Sequence, residues 1–329
     1  MIDLAHHERA LRAQVPREIR AFRARLEPTL AAALDARLAA LGVQGEADAL
    51  HSFTRVAQPV VHLPLWVAEA AAARGRPPAP AAIEAAVAAA VLGYLCAQVQ
   101  DAVIDGEEAA PGRAMLLAHA LFAAHGAALD RAAGPSPELS RLREEKWMAY
   151  AGALAVEARS SRGEAPMDEA AFDGILRRSH PLVLPGAALL AAAGLWELVA
   201  PLEELVAWST RAAQLFDDLV DAVDDLRAGR FTWVVRRLGG ERGERALVRR
   251  LYLEGGFDEI AGEALSALAS AEAAAGALGM RAGGAALAGD GRRIQEARAG
   301  VAKALARQIF GAIEGLEGGL APAQEEEHT

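Results

Sequence analysis

Nearly every segment of this 329-residue chain has the composition and spacing of an α-helix. Alanine, leucine, arginine and glutamate dominate, and these residues lose little side-chain freedom in a helix. Alternating runs of β-branched and aromatic residues, which are typical of strands, are scarce. The sequence therefore predicts an all-α protein.

Clusters of glycine and proline divide the chain into about a dozen predicted helices. We place the breaks at residues 42–45, 73–80, 106–112, 134–137, 163–166, 239–243, 255–256 and 288–291. None of these breaks is a long Ser/Pro linker. We therefore expect one large helical domain over residues 1–329, with residues 1–60 and the tail 318–329 at its periphery.

The charge balance limits the classes of partner. Lys and Arg total 34 against 44 Asp and Glu, a net charge of −10, so neither nucleic acid nor anionic lipid is an expected partner. The single cysteine, Cys96, excludes an internal disulfide and any site with several cysteine ligands. The N-terminal residues show no secretory signal, and the stretch Pro181–Trp196 is too short to span a bilayer. We expect a cytoplasmic protein without stable membrane insertion.

A first acidic cluster ends the predicted helix that runs from about Ala81 to Asp105. This helix is nearly all apolar until its C-terminal end, where Asp101 and Asp105 appear. The spacing of four residues places the two carboxylates on one face, about 6 Å apart along the axis. They repel each other and the negative end of the helix dipole unless a cation lies between them. The cluster is therefore either a metal site or an exposed polar helix end with arginine partners.

A second acidic cluster lies between Gln214 and Trp233. Its five carboxylates fill an arc of about 120° on a helical wheel. They are Asp217, Asp218, Asp221, Asp224 and Asp225. Lysine is absent from this stripe and only Arg211 and Arg227 lie near it, whereas a salt-bridged surface helix normally interleaves cations. The stripe favours metal binding.

The two clusters together predict a site for a metal-bound diphosphate. Carboxylate oxygens suit Mg²⁺, which proteins usually hold through one or two carboxylates together with phosphate oxygens of the substrate. Two acidic helix faces can supply those carboxylates from opposite sides.

These residues resemble the class I isoprenoid synthase superfamily, which includes polyprenyl diphosphate synthases, squalene and phytoene synthases and class I terpene cyclases. Asp101-Ala-Val-Ile-Asp105 is similar to the first aspartate-rich motif, and Ala102 makes it closer to DxxxD or a cyclase variant than to DDxxD. Asp217-Asp218-Leu-Val-Asp221 with Asp225 is similar to the second polyprenyl motif, DDxxDxxxD. The same stretch also resembles DxxEDxxxGRxY of the squalene and phytoene enzymes, and the metal triad of the cyclases.

The resemblance implies a fold, a cofactor and a substrate. The fold is a single large helical bundle with the acidic helices facing each other above a central apolar cavity. Three Mg²⁺ ions, held by the aspartates of the two motifs, would bind a prenyl diphosphate there. Its departure would leave a carbocation in the cavity. Polyprenyl enzymes of this kind are often dimers, so a homodimer is also expected.

Further site residues follow from the resemblance and from helix spacing. Arg178 and Arg230 are the predicted cations for the leaving diphosphate. The predicted cavity residues are Tyr94, Ala97, Thr210, Ala213 and Gln214, of which Gln214 is the glutamine that precedes the second motif in the family. Aromatic residues such as Trp147 and Tyr150 are predicted to belong to the core, and His119 and His125 to be structural.

Departures from the family separate the hypotheses. The basic segment that holds isopentenyl diphosphate in polyprenyl synthases has only a partial equivalent, Arg74-Gly75-Arg76-Pro77, and Arg113 alone follows the first motif. This favours a one-substrate, Mg²⁺-dependent terpene synthase that cyclises or deprotonates a carbocation. A squalene/phytoene-like or polyprenyl-like prenyltransferase is the alternative, and a catalytically silent regulatory homologue is the second alternative. The sequence does not determine the chain length of the substrate or the product.

Overall fold

The computed structural model describes residues 4–43, 60–104, 106–161 and 165–318, and within these ranges the chain contains helices and no strand. The long N-terminal helices are α1 (Leu4–Arg23), α2 (Pro28–Ala40), α3 (Leu63–Ala73), α4 (Pro80–Ile104), α5 (Pro111–Ala133) and α6 (Pro137–Ser161). They are followed by α7 (Glu169–Leu176), α8 (Leu184–Ala193), α9 (Val199–Arg227), α10 (Trp233–Arg237), α11 (Glu244–Val248), α12 (Gly256–Leu278) and α13 (Arg281–Gly318). The all-α prediction is confirmed.

Helix α4 is the central helix of the bundle. It packs most extensively against α5, and α1, α3 and α8 cover its other sides. Its many alanines let neighbouring helices approach closely, and Gly93 lies where a Cβ atom would come within 2.8 Å of Nδ1 of His125 on α5. The helix is long and apolar enough to cross a membrane, but 61% of its most apolar window is buried inside the protein, as in the core helix of a soluble protein.

Helix α9 carries the second acidic cluster. Its apolar face, which includes Leu215, Leu219 and Ala222, is buried, and the helix packs mainly against α12. The helix ends at Arg227 because Gly229 adopts a positive φ of 74°, a conformation that glycine reaches at little cost. The acidic stripe therefore occupies the last three turns of a firmly packed helix.

A short 3₁₀ segment between α7 and α8, Arg177–Val183, places Arg178. Pro181 has no backbone N–H group, so it cannot continue regular α-helical bonding from α7. Helix α8 then begins at Leu184, and its Gly186 allows close packing: a Cβ atom there would meet Leu202 at 2.8 Å and Val67 at 3.0 Å. The 3₁₀ segment and the start of α8 therefore pack tightly against the core.

The predicted break at 288–291 is wrong. Helix α13 continues through these residues, and neither Gly289 nor Gly291 has a positive φ. Glycine lowers helix stability by about 1 kcal/mol relative to alanine but does not stop a helix that tertiary contacts support. One such contact is the buried carboxylate of Glu69 on α3, which accepts a hydrogen bond from the backbone N–H of Ala282 at 3.0 Å in the first turn of α13.

Candidate active site

The first acidic cluster lies in the last turn of α4. Asp101 is half-buried there, and its charge acts on the neighbouring Tyr94 and Tyr150. Burial, together with Asp101, raises the pKa of Tyr94 to about 12, and the same two causes raise the pKa of Tyr150. Asp105 lies outside the described residues, so Asp101 alone represents this cluster in the structure.

The acidic stripe of α9 divides into two sets. Asp217 and Asp221 are exposed, whereas Asp218 and Asp225 are each only 7% exposed. Asp224 is also exposed and pairs with Arg227 at 3.4 Å. The exposed pair has room for a ligand, and the buried pair faces the protein.

Arg178 is the centre of a hydrogen-bond network that joins α6, the 3₁₀ segment and α9. Its Nη1 donates to Glu157 Oε1 at 2.8 Å, and its Nη2 donates to Gln214 Oε1 at 2.5 Å. Gln214 Nε2 in turn donates to Asp218 Oδ1 at 2.6 Å. The guanidinium group is therefore fixed by a carboxylate on one side and by the amide of the acidic helix on the other.

Arg178 also interacts electrostatically with both acidic clusters. Burial lowers the pKa of Arg178, but the carboxylates of Glu157, Asp101 and Asp218 outweigh it and raise this pKa above its ordinary value. The structure thus brings Asp101 on α4 and Asp218 on α9 within electrostatic range of one cation. Glu157 was not found from the sequence, because its spacing from Arg178 carries no helical signal.

Burial, and to a lesser extent the crowding of carboxylates, raises the proton affinity of the stripe. Burial raises the pKa of Asp218 to about 7, against the opposing effect of its hydrogen bond from Gln214. Asp217 is exposed as a residue, but protein atoms around its carboxylate partly desolvate it and raise its pKa, and the neighbouring charge of Asp221 adds to this effect. A bound cation would relieve this repulsion, as the sequence argument expects.

Arg230 is held by Asp225. Its Nε and Nη2 donate to Asp225 Oδ1 at 2.9 and 2.6 Å, and the turn at Gly229 folds the arginine back onto the helix. The predicted metal role of Asp225 and the predicted diphosphate role of Arg230 therefore use groups that neutralise each other in this structure. A ligand that binds either of them competes with this ion pair.

A narrow cavity lies below Arg178, between α4, α5, α6 and the 3₁₀ segment. Its volume is about 20 Å³. The lining side chains include Tyr94, Ala97, His125, Trp147, Tyr150 and Arg178. Thr210, Ala213 and Gln214, which lie on α9, are not among its lining residues, although Gln214 accepts a hydrogen bond from Arg178 in the cavity wall. The cavity is much smaller than a prenyl chain, so a chain of that kind enters only if side chains such as Tyr94 move.

The carboxylates fit a metal site that a substrate completes. Among the described residues, no group of three or more His, Cys, Asp or Glu side chains is arranged to hold a metal ion. Asp101, Asp217 and Asp221 nevertheless offer the hard oxygen donors that Mg²⁺ prefers, in numbers that suit an ion shared with phosphate oxygens. These three are the residues that would hold it.

Comparison with known proteins bears on the fold. The chain is similar to the crystal structure of geranylgeranyl pyrophosphate synthase from Corynebacterium glutamicum, with a TM-score of 0.66 over 88% of this chain and 94% of that chain. The chain has the isoprenoid synthase fold. The sequence identity is 16%, so the similarity establishes the fold and leaves the activity to be argued from the site. No protein-family model matches the sequence, and no curated protein does.

The arginines of the partial basic segment before α4 contact backbone oxygens at the ends of other helices. Arg74 Nη1 donates to the backbone oxygens of Leu278 at 2.7 Å and Ala70 at 3.0 Å, so it caps the end of α12. Arg76 Nη1 donates to the backbone oxygen of Ala193 at 3.4 Å. Both guanidinium groups are therefore used to join helix ends.

Proposed function

We propose that this protein is a one-substrate class I terpene synthase, which ionises an allylic prenyl diphosphate with Mg²⁺. One observation carries the proposal: Arg178 interacts with Asp101 of α4 and with the acidic helix α9, and it forms part of the wall of a largely apolar cavity. Carboxylates that bind Mg²⁺ and an arginine beside them suit a metal-bound diphosphate whose hydrocarbon chain points into the cavity.

The residues of the site have separate tasks in this reaction. Mg²⁺, when bound, supplies positive charge to the diphosphate oxygens, and Asp101, Asp217 and Asp221 would hold it. Ionisation breaks the bond between C1 and the bridging oxygen, and the electron pair leaves with the diphosphate. Arg178 stabilises the charge that develops on the leaving oxygens, more in the transition state than in the substrate.

Preorganisation of Arg178 supports this assignment. Glu157 and Gln214 already hold the guanidinium group in one orientation, so little reorganisation is needed at the moment of ionisation. Below it, Tyr94, Trp147 and Tyr150 present aromatic rings to the cavity. Ring faces stabilise cations, and apolar walls exclude bulk water from the carbocation.

A single substrate is favoured because the structure uses the candidate residues for a second diphosphate elsewhere. Arg74 and Arg76 bind backbone carbonyl groups of other helices. A prenyltransferase remains the second candidate, since the similar solved structure is that of a geranylgeranyl pyrophosphate synthase. A product that requires both an allylic donor and isopentenyl diphosphate would favour it.

Carboxylate substitutions test the proposal. Asp101→Ala and Asp217→Ala should each abolish Mg²⁺-dependent pyrophosphate release, because each removes a metal ligand from one of the two acidic helices. Asp224→Ala is the matched control, since Asp224 belongs to the same stripe but is exposed and pairs with Arg227. Circular dichroism should show equal helical content in all three variants. Full activity of either ligand variant, or equal loss in the control, would exclude this site.

A further inference from the structure

The last turn of α4 carries negative charge without a basic residue of its own. Asp101 lies in this turn, and the turn contains no lysine or arginine. A helix C-terminus already bears partial negative charge, so a carboxylate there destabilises the turn that holds it. A glycine cap follows: Gly106 adopts a positive φ of 74°, and the backbone N–H of Glu107 donates to Ala102 O at 2.9 Å. The turn would therefore be stabilised by a cation from another element.

Arg37 of α2 supplies such a cation. Its side chain is 11% exposed, and its Nη2 donates to Gln98 Oε1 at 3.3 Å, three residues before Asp101. Its Nη1 lies 3.6 Å from Glu107 Oε2, just beyond the glycine cap. The guanidinium group therefore contacts α4 and its cap on both sides of the turn that carries Asp101.

The charge of Arg37 also acts on the cavity beside this turn. Burial is the largest cause of the raised pKa of Tyr94; the charge of Arg37 opposes the rise, and the charge of Asp101 adds to it. Tyr94 lines the cavity below Arg178. Arg37 and Asp101 thus lie within electrostatic range of the same phenol, although one belongs to α2 and the other to α4.

Stability alone gives a poor account of this nearly buried arginine. The hydrogen bond to Gln98 is long, and the side chain of Glu107 is 63% exposed, so both contacts contribute little. Removing a guanidinium group from water costs more than such contacts recover. Arg23, by comparison, pairs with Asp35 of α2 at the surface through two hydrogen bonds of 2.7 Å. The position of Arg37 beside the end of α4 therefore calls for a functional explanation.

We propose that Arg37 is a positioning residue for Mg²⁺ binding, which holds the last turn of α4 so that the carboxylate of Asp101 meets the ion. The inference rests on the proposed function, in which Asp101 is a metal ligand. In this role Arg37 contacts neither the ion nor the diphosphate. It acts through Gln98 and Glu107, as residues around a metal site commonly orient its ligands.

Binding of Mg²⁺ with inorganic pyrophosphate tests this role without turnover. In isothermal titration calorimetry, Arg37→Ala should weaken Mg²⁺ binding in the presence of pyrophosphate by about tenfold or more, the usual loss when a residue that orients a metal ligand is removed. Arg37→Lys should recover most of this affinity, because its ammonium group keeps a cation at the end of α4. In the turnover assay, Arg37→Ala should raise the Mg²⁺ concentration for half-maximal pyrophosphate release by a similar factor.

Arg23→Ala is the matched control. Its ion pair with Asp35 joins α1 to the same helix, α2, so the substitution removes an arginine contact of α2 without changing the contacts of Arg37 with Gln98 and Glu107. This variant should bind Mg²⁺ with wild-type affinity.

The outcomes separate this inference from the proposed function. Unchanged Mg²⁺ affinity in Arg37→Ala, or an equal loss in Arg23→Ala, would overturn the positioning role and leave the terpene synthase proposal standing. If Arg37→Ala does not fold, Gln98→Ala removes one of the two contacts and should still lower Mg²⁺ affinity, and wild-type affinity of that variant would overturn the role. Mg²⁺ binding that depends on Arg37, without pyrophosphate release from any donor, would overturn the proposed function alone. Absence of Mg²⁺ binding by the wild-type protein would overturn both.

Discussion

Replacing Arg178 with alanine removes the cation between the two acidic helices. The reaction would lose one preorganised charge contact to the leaving diphosphate, which typically costs 10²-fold or more in rate, about 2.7 kcal/mol. The loss should appear in kcat for pyrophosphate release more than in KM, because the contact strengthens as charge develops on the leaving oxygens.

The same substitution should leave the protein folded. The ion pair between Arg178 and Glu157 is about one-third exposed on each side, with side-chain exposures of 30% and 32%. Losing it should cost about 1–2 kcal/mol, less than a fully buried charged hydrogen bond and well below the stability of an ordinary domain. Urea denaturation of the variant measures this cost directly.

Two further variants separate charge from geometry. Arg178→Lys keeps the charge but cannot hold Glu157 and Gln214 in a planar fork, so we expect an intermediate loss of about tenfold. Arg177→Ala changes the exposed neighbour in the same 3₁₀ segment and should keep the wild-type rate. A wild-type rate for Arg178→Ala, or an equal loss for Arg177→Ala, would refute the role of Arg178.

Two predictions concern stability. Burial raises the pKa of Asp218 to about 7, so the folded state retains a proton that the unfolded state releases, and stability should fall by on the order of 3 kcal/mol as pH rises from about 4 to about 7. Asp218→Asn should lose less stability over this range in urea titrations with EDTA, and parallel curves would contradict the assignment. Gly186→Ala should lower the free energy of unfolding by about 1–3 kcal/mol, because its Cβ would overlap Leu202. Gly152→Ala, in an open helical position, should be neutral or stabilising, and equal effects of the two would refute the packing argument.

The sequence predictions were most accurate for features that lie within a single helix. The expected start of α4, about Ala81, differs by one residue from the observed Pro80, and the helix runs to Ile104, the last described residue before Asp105. The acidic stripe of α9 is likewise a property of a single regular helix. Helical periodicity predicts such faces directly, since it needs no knowledge of neighbouring elements.

Tertiary contacts account for the features of the site that the sequence did not predict. Glu157 meets Arg178 across two helices, and a spacing of 21 residues gives no indication of that contact. The pairing of Asp225 with Arg230 depends on the turn at Gly229, which ends α9. The contacts among His125, Trp147 and Tyr150 arise from ring packing between α5 and α6, so the sequence placed these residues in the core without indicating that they meet.

The central claim is that a single prenyl diphosphate is ionised between Asp101 of α4 and the acidic stripe of α9. Its most direct test is to incubate the purified protein with Mg²⁺ and a C10, C15 or C20 prenyl diphosphate, with and without isopentenyl diphosphate, and to measure pyrophosphate release together with the extracted products. We expect Mg²⁺-dependent release and a terpenoid product from one donor alone. Release that requires isopentenyl diphosphate would contradict the one-substrate account, and the absence of release with every donor would contradict catalysis at this site.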